Sequence, residues 1–217
     1  MGRQAIRSEG VKTGYERAFV ALVPDIAAQT RLVSYSASCS AFFTTADLNI
    51  TTPSDKQNIQ AYAPEDLHMT LAFLGGVNVS QVCAILAALP SIACPLPTLT
   101  CIGEAWWPNR QKPRVHVIRY GLPPALQAIH AKVQDLVTTL GIPIDSRPYR
   151  PHITLSRVRM RQPVRLPHAA MTLSDASTLR STLNARMIHI GLFCKNTEGG
   201  RLRYRVLGQF PLGNDPI

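Results

Sequence analysis

The chain has 217 residues, of which 46% are hydrophobic, so it can bury a core, which excludes a globally disordered protein. Its formal charge of +10 favours polyanionic partners such as nucleic acid, although excess charge can also serve solubility alone. No apolar run approaches the roughly 20 residues that span a bilayer, and the N-terminus lacks the apolar core of a signal peptide, so we expect a soluble, cytoplasmic protein without membrane contact.

The N-terminal quarter of the chain divides into four predicted regions. Residues 1–16 are polar and basic, and we expect a flexible segment there. The apolar run 17–23, RAFVALV, predicts a buried strand that ends at Pro24. Residues 24–34 are compatible with a helix, whereas 35–57 are rich in serine and threonine without a clear period and predict a long loop.

Two amphipathic helices are predicted further along the chain. Ser80 is a candidate N-cap for the first helix, which we expect to stop at Pro90. The second helix runs from about Leu122 to Leu140, and Gly141 ends it. Its apolar stripe consists of Leu126, Ile129, Val133, Leu136 and Leu140.

Strand-like segments lie between and after these helices, at 97–107, 114–120, 187–194 and 202–210. Helices mixed with non-adjacent strands fit an α+β domain better than a regularly alternating α/β one. We expect a single domain that spans residues 17–213.

The segment 66–75, DLHMTLAFLG, places a histidine and a threonine in an otherwise apolar strand. Because side chains alternate along a strand, His68 and Thr70 share one face while their apolar neighbours take the other. A single His-x-Thr is more often a hydrogen-bonded pair in a core than a functional site, so this tripeptide alone predicts only packing.

The same pattern occurs again in 148–157, PYRPHITLSR, where His152 and Thr154 share a face. His152 lies 84 residues after His68, a separation too long for one local unit and natural for two similar halves of a domain. Two matched strands that each carry histidine and threonine predict a shared cleft.

Paired histidines suit phosphodiester chemistry. Each titrates near neutrality, so the pair can supply an acid and a base in one turnover. In-line attack at phosphorus needs a proton taken from the nucleophile on one side and a proton given to the leaving oxygen on the other. The hydroxyls of Thr70 and Thr154 could each donate a hydrogen bond to a non-bridging phosphate oxygen.

No metal ion or other cofactor is expected. The two separated histidines have no acidic cluster beside them. The five cysteines are odd in number and contain no C-x-x-C pair, so the sequence indicates neither a disulfide framework nor a zinc site.

The stretches 67-LHMTLAFLG-75 and 151-PHITLSR-157 resemble the two signature motifs of the two-histidine (2H) phosphoesterases. Within that superfamily the resemblance is strongest to RNA 2′,3′-cyclic phosphodiesterases, also called 2′-5′ RNA ligases. It extends from about Arg17 to Leu212 and includes G-x-x-W-W at 103–107 and R-Y-x-x-L at 203–207. It implies a bilobed, internally duplicated α+β fold, in which two mainly antiparallel sheets flank a central active-site groove and the helices lie outside.

The resemblance also implies roles by motif position. His68 would be the general acid that protonates the departing 3′ oxygen, and His152 the general base that activates water to give a 2′-phosphomonoester. Thr70, Thr154 and Arg157 would bind the substrate phosphate. In a regular strand Arg157 would face away from His152 and Thr154, so its role requires the strand to bend or end after Thr154.

Other polar and aromatic residues are weaker candidates. Trp106 and Trp107 could stack an RNA base, although packing of one of them in the core is the more ordinary role. Arginines alternate at 157, 159 and 161 and again at 201, 203 and 205, on strand faces that either track an RNA backbone or are simply solvated. Four histidines fall in no motif and are expected to be structural or surface residues: His116, His130, His168 and His189.

The predicted function is metal-independent hydrolysis of RNA 2′,3′-cyclic phosphate ends by a monomer, with tRNA fragments among the candidate substrates and reversible 2′-5′ RNA ligation as a further reaction of the same histidine pair. Three alternatives stay open. The first is a 2H enzyme that acts on 2′-5′ oligonucleotides or small cyclic nucleotides, and the second is an RNA-binding module without catalysis. The third makes both His-x-Thr pairs buried hydrogen-bonding pairs.

Overall fold

Eight strands and four α-helices form the parts of the chain that the structure describes. This computed structural model describes residues 14–45, 58–109, 112–159, 177–196 and 203–213. In chain order the elements are β1 (Gly14–Pro24), α1 (Ile26–Thr45), β2 (Asn58–Ala61), β3 (Met69–Asn78), α2 (Val79–Ile92), β4 (Cys101–Trp107), β5 (Val115–Tyr120), α3 (Pro124–Thr139), β6 (His152–Arg159), α4 (Ser177–Thr182), β7 (Met187–Lys195) and β8 (Tyr204–Pro211). None of these helices is long and apolar enough to cross a membrane.

The strands make two four-stranded sheets in which every pairing is antiparallel. The first sheet has the order β3-β1-β7-β8 and the second the order β2-β6-β5-β4. One His-x-Thr motif belongs to β3 and the other to β6, and these two strands contact each other although they lie in different sheets. The predicted α+β class, with one motif strand in each of two antiparallel sheets, is therefore confirmed.

The helices cover the sheets and bury the core. Helix α1 packs on β2 and β6, α2 packs on β3, β7 and β8, and α3 packs on α2 and β3. The predicted stripe of α3 is confirmed at three positions, and Val137 takes the fourth fully buried position in place of Leu136. The buried residues of α3 are Leu126, Ile129, Val133 and Val137. Gly141 follows this helix with a φ of +69°, a conformation that glycine adopts without strain.

The loop predicted for residues 35–57 is wrong over its first half, because α1 continues to Thr45. The buried face of the helix passes through Ala28, Leu32, Ser36 and Cys39, at helical spacing. Ser36 is a polar residue at a core position, so it interrupts the apolar period on which the sequence prediction depends. Residues 46–57 lie outside the described ranges.

Two other boundaries differ from prediction. Strand β1 begins at Gly14, three residues before the predicted start at Arg17, and residues 1–13 of the predicted flexible segment lie outside the described ranges. The N-cap of α2 is Asn78 rather than Ser80. Its side chain accepts a hydrogen bond from the Gln81 N–H at 2.8 Å, and the Gln81 side chain accepts one from the Asn78 N–H at 3.0 Å, which is a capping box.

Helix α2 also continues past Pro90, where we expected it to stop. It ends at Ile92, and the Ala93 N–H donates to the Leu89 carbonyl at 3.0 Å. Proline in the last turn of a helix removes only one backbone hydrogen bond, so the turn that follows can still form.

Candidate active site

His68 lies at the entry to β3, between aromatic rings of neighbouring strands. Its Nδ1 donates a hydrogen bond to the backbone carbonyl of Asp66 at 2.7 Å. The ring of Phe19 stacks on the imidazole with centroids 4.7 Å apart, and Tyr204 meets it edge-on at 5.0 Å. These contacts fix the orientation of the ring and leave Nε2 as the nitrogen that can face a ligand.

His152 is held in the same way at the start of β6. Its Nδ1 donates to the Arg150 carbonyl at 2.7 Å, and Trp107 packs against the ring edge-to-face with centroids 4.5 Å apart. Both histidines therefore bond to the carbonyl two residues before them. The same hydrogen bond therefore orients the imidazole in each half of the domain.

Both imidazoles have a pKa below the ordinary value for histidine. Burial is the largest cause for His68, and the neighbouring His152 adds to it, so the pKa of His68 is about 4 despite the opposing bond to the Asp66 carbonyl. Burial also lowers the pKa of His152, against the effect of the bond to the Arg150 carbonyl. An anionic ligand between the two rings would shift both pKa values upward.

Each motif strand contains a β-bulge directly after its threonine. The pairing of β3 with β1 skips Leu71, the residue after Thr70. The pairing of β6 with β5 skips Leu155, the residue after Thr154. An extra residue shifts the alternation of side chains by one, so the residue three positions after each threonine returns to the threonine's face.

This bulge explains how Arg157 reaches the groove. The regular alternation that would turn it away does not apply beyond Thr154, and Arg157 shares a face with His152 and Thr154. Its Nε donates a hydrogen bond to the hydroxyl of Tyr62 at 3.1 Å. The contacting strands β3 and β6 thus carry all five motif residues, counting His68 directly before β3, and Arg157 bonds to the tyrosine whose neighbour Tyr204 contacts His68.

Two tyrosines beside His68 have no assigned role in the sequence prediction. The hydroxyls of Tyr62 and Tyr204 lie 3.5 Å apart, and the Arg203 guanidinium lies 4.5 Å from the centre of the Tyr62 ring. The carboxylate of Asp66 accepts bonds from the Arg203 N–H at 3.0 and 3.2 Å. Asp66 thus holds both His68, through its carbonyl, and the start of β8, through its side chain. The only sequence signal for this network is the R-Y pair at 203–204.

The adjacent tryptophans separate onto opposite faces of β4. Trp106 is buried and stacks on His116 with ring centroids 4.2 Å apart, so the prediction that it stacks a base is wrong and it is a core residue. Trp107 lies on the groove face against His152. Alternation along a strand makes this division unavoidable, because neighbouring side chains cannot face the same side.

One group of potential metal ligands lies away from the groove. Among the described residues, the ligand atoms of Cys39, Glu104 and His116 lie within 4.8 Å of one another. Cys39 belongs to α1, and Glu104 and His116 lie on the face of β4 and β5 opposite to Trp107 and His152. One carboxylate oxygen of Glu104 accepts bonds from Tyr35 at 2.9 Å and His116 at 2.8 Å. Burial raises the pKa of Cys39 to about 11, which favours the thiol over the metal-binding thiolate.

A cavity of about 640 Å³ opens beside Thr70 and His152. His130 lines it and stacks on Tyr149 with centroids 4.0 Å apart, so His130 adjoins the groove instead of standing apart from it. His168, Arg161 and Arg201 lie outside the described residues.

Two antiparallel sheets that bring one His-x-Thr strand each to a common groove define a two-histidine phosphoesterase. The family model described as LigT like Phosphoesterase matches residues 50–117 and 120–204, and this chain belongs to that family.

Curated relatives carry one activity in their names. The chain is 31% identical over 155 residues, 70% of its length, to a protein of Geobacillus stearothermophilus named RNA 2′,3′-cyclic phosphodiesterase. It is 26% identical over 137 residues to a protein of Bacillus subtilis with the same name, covering 62% of this chain and 75% of that one. The match spans only 47% of the Geobacillus protein, about half its length.

Solved structures share the fold over nearly the whole chain. TT0787 of Thermus thermophilus matches with a TM-score of 0.63 and 22% identity, over 90% of this chain and 97% of that one. The structure of E. coli LigT complexed with 3′-AMP matches with a TM-score of 0.62 and 22% identity, over 92% of this chain and 99% of that one.

Proposed function

We propose that this protein hydrolyses RNA 2′,3′-cyclic phosphate ends to 2′-phosphomonoester ends by acid–base catalysis with His68 and His152. The observation that carries the proposal is the matched pair of imidazoles, each held at Nδ1 by a backbone carbonyl and each accompanied by a threonine on the same face. The names of the curated relatives support the choice of substrate.

The proposed reaction moves one proton through each histidine. Nε2 of His152 takes a proton from water as the water oxygen attacks phosphorus, and the bond from phosphorus to the 3′ oxygen breaks. His68 gives its proton to that oxygen, which leaves the phosphate on the 2′ oxygen. The hydroxyls of Thr70 and Thr154 and the guanidinium of Arg157 bind the non-bridging oxygens, where charge accumulates in the transition state. Joining a 2′,3′-cyclic phosphate to a hydroxyl is the same path with a hydroxyl in place of water.

The charge of the chain and an aromatic residue beside His152 support RNA as the molecule that carries the cyclic phosphate. A chain with a formal charge of +10 attracts RNA, and Trp107 beside His152 offers an aromatic surface to a base. We include tRNA fragments among the RNA ends that fit this chemistry, and the proposal is for a cytoplasmic monomer that needs no metal ion.

Comparison of three substrates tests this assignment. We expect kcat/KM to be highest for a short RNA with a 2′,3′-cyclic phosphate, lower for a 2′,3′-cyclic mononucleotide, and lowest for 2′-5′ oligoadenylate. Turnover of 2′-5′ oligoadenylate alone would move the enzyme to a different substrate. RNA binding that weakens steeply with salt, without any product, would make the protein a binding module.

Replacing Arg157 by lysine should lower kcat/KM for the cyclic end by about 10- to 100-fold, which corresponds to loss of one hydrogen bond to a charged group. Lysine keeps the charge but has neither the planar fork nor the Nε–H that bonds to Tyr62. Tyr62→Phe is the matched variant, because it removes the bond and leaves the arginine. We expect a smaller loss there, and equal activity of Arg157→Lys and wild type would remove Arg157 from the site.

A further inference from the structure

A buried cluster of polar side chains joins helix α1 to strands β4 and β5, on the side of the second sheet that faces away from the groove. Cys39 comes from the helix, Glu104 from β4 and His116 from β5, and their potential ligand atoms lie within 4.8 Å of one another. Because His116 pairs with Trp106, Glu104 is its diagonal neighbour on the same face of the sheet. No local sequence motif joins the three residues, since only the fold brings them together.

The cluster is closed to solvent. The side chains of His116 and Glu104 are 1% and 5% exposed, and Cys39 is also buried. Tyr35 lies one helical turn before Cys39 on α1, so both residues approach the sheet from the same side of the helix. A carboxylate taken this far out of water is costly unless neighbouring groups compensate its charge.

The hydrogen bonds in the cluster satisfy only one of the two carboxylate oxygens of Glu104. The Tyr35 hydroxyl and the His116 ring both bond to Oε2, at 2.9 and 2.8 Å. Among the described residues, no donor bonds to the other oxygen, Oε1, although it is buried. Buried carboxylate oxygens normally have a partner, so this one calls for an ion or a water molecule. An ion fits better, because Cys39 and His116 place sulfur and nitrogen ligands beside the oxygen.

The types of ligand indicate one class of cation. Cysteine sulfur and histidine nitrogen are ligands of Zn²⁺, whereas Ca²⁺ and Mg²⁺ take oxygen ligands. Bonds of about 2.0 to 2.3 Å around a tetrahedral zinc ion place neighbouring ligand atoms about 3.3 to 3.8 Å apart. The cluster, with its ligand atoms within 4.8 Å of one another, therefore needs to contract by only about 1 Å.

Binding of zinc would leave no net charge in the core. The two positive charges of the ion are balanced by the thiolate of Cys39 and the carboxylate of Glu104, and the His116 ligand is neutral. The thiol proton leaves to solvent as the bond from sulfur to zinc forms, as at every cysteine ligand. Burial raises the pKa of Cys39 to about 11, so this proton release lowers the affinity, but the bound ion itself stabilises the thiolate.

We propose that Cys39, Glu104 and His116 form a binding site for one zinc ion that holds α1 against the second sheet. Tyr35 keeps the carboxylate in place through Oε2 and leaves Oε1 to the ion. Three protein ligands leave the fourth tetrahedral position to water. The ion stabilises the fold, and the hydrolysis proposed above still needs no metal, because none of the three ligands lines the cavity beside the groove.

Zinc titration of the whole chain, freed of metal with a chelator that is then removed, tests the site. We expect calorimetry to show one ion per chain for wild type and for Cys83→Ser, a control at an exposed cysteine of α2. Cys39→Ser and His116→Gln should each weaken binding by at least about 100-fold, because residues that only orient a ligand already cost about 10- to 100-fold. Glutamine keeps an N–H for Glu104 and removes the ring nitrogen.

Two further measurements locate the ion and show that the variants are folded. Bound Co²⁺ should give a thiolate-to-metal charge-transfer absorption in wild type and Cys83→Ser, and none in Cys39→Ser. Free zinc at about 100 times the wild-type Kd should raise the unfolding temperature of wild type by about 5 to 11 °C. The same zinc concentration should raise that of Cys39→Ser and His116→Gln by less than about 2 °C.

Three results would overturn the zinc site. The first is a folded wild type that binds no zinc, in which case the cluster is a hydrogen-bonded network alone. The second is equal zinc affinity of wild type and both ligand variants. The third is loss of binding in Cys83→Ser, which would assign the ion to the exposed cysteine. If Cys39→Ser fails to fold without metal, His116→Gln decides between these results and the proposed site.

Discussion

Replacing either His68 or His152 by alanine should lower kcat on an RNA 2′,3′-cyclic phosphate by about 10²- to 10⁴-fold, the usual contribution of one positioned acid or base. The fold should persist, because each substitution removes one hydrogen bond to a backbone carbonyl, a cost of about 1 kcal/mol, and a few aromatic ring contacts that are worth about 0.5 to 1.5 kcal/mol each. Thermal unfolding beside steady-state kinetics checks both statements. Variants that unfold at the assay temperature would instead support buried structural pairs.

A substrate with sulfur in place of the bridging 3′ oxygen distinguishes the two roles. A thiolate leaves without protonation, so His68→Ala should recover most of its lost rate on this substrate. His152→Ala should recover little, because water must still lose a proton. Recovery by His152→Ala alone would exchange the assignments of acid and base.

We expect kcat/KM for the cyclic end to fall about tenfold as the pH rises from 7 to 8. The active form needs His68 protonated and His152 neutral. The pKa of His68 is about 4 and that of His152 is below 6.5. Between the two pKa values a rise in pH changes the two protonation states in opposite directions, so the fraction of enzyme in the active form stays constant. Above the pKa of His152 only the deprotonation of His68 continues, and the active fraction drops tenfold for each unit.

The sulfur-bridged substrate provides the control for this profile. It needs no general acid, so its kcat/KM should be level from pH 7 to pH 8 with the same enzyme. A level profile with the natural oxygen substrate would contradict either the role of His68 or its lowered pKa. A fall that appears equally with both substrates would point to a group other than the acid.

The sequence predicts the duplicated motif strands because histidine and threonine at alternate positions are visible against apolar neighbours. Their spacing also indicates two halves, which correspond to the two sheets. The bulges after Thr70 and Thr154 are not visible, because no residue type marks them: both extra residues are ordinary leucines. The alternation rule therefore misplaced Arg157.

Contacts between distant segments explain the other differences. Tyr62 and Tyr204 are 142 residues apart, and only the fold brings them together beside His68. Ser36 belongs to the buried face of α1 because the helix packs against the second sheet, although its side chain reads as a surface residue. The local sequence pattern predicts which segments form helices and strands. Contacts between distant segments depend instead on how the two sheets and the helices pack together.

The most direct test of two-histidine hydrolysis is the identity of the product end. An RNA with a 2′,3′-cyclic phosphate is incubated in excess chelator with wild type, His68→Ala and His152→Ala, and the terminal phosphate is located. We expect wild type alone to convert the end to a 2′-phosphate. An intact end with folded wild type, a 3′-phosphate product, or activity that the chelator abolishes would contradict the proposed reaction.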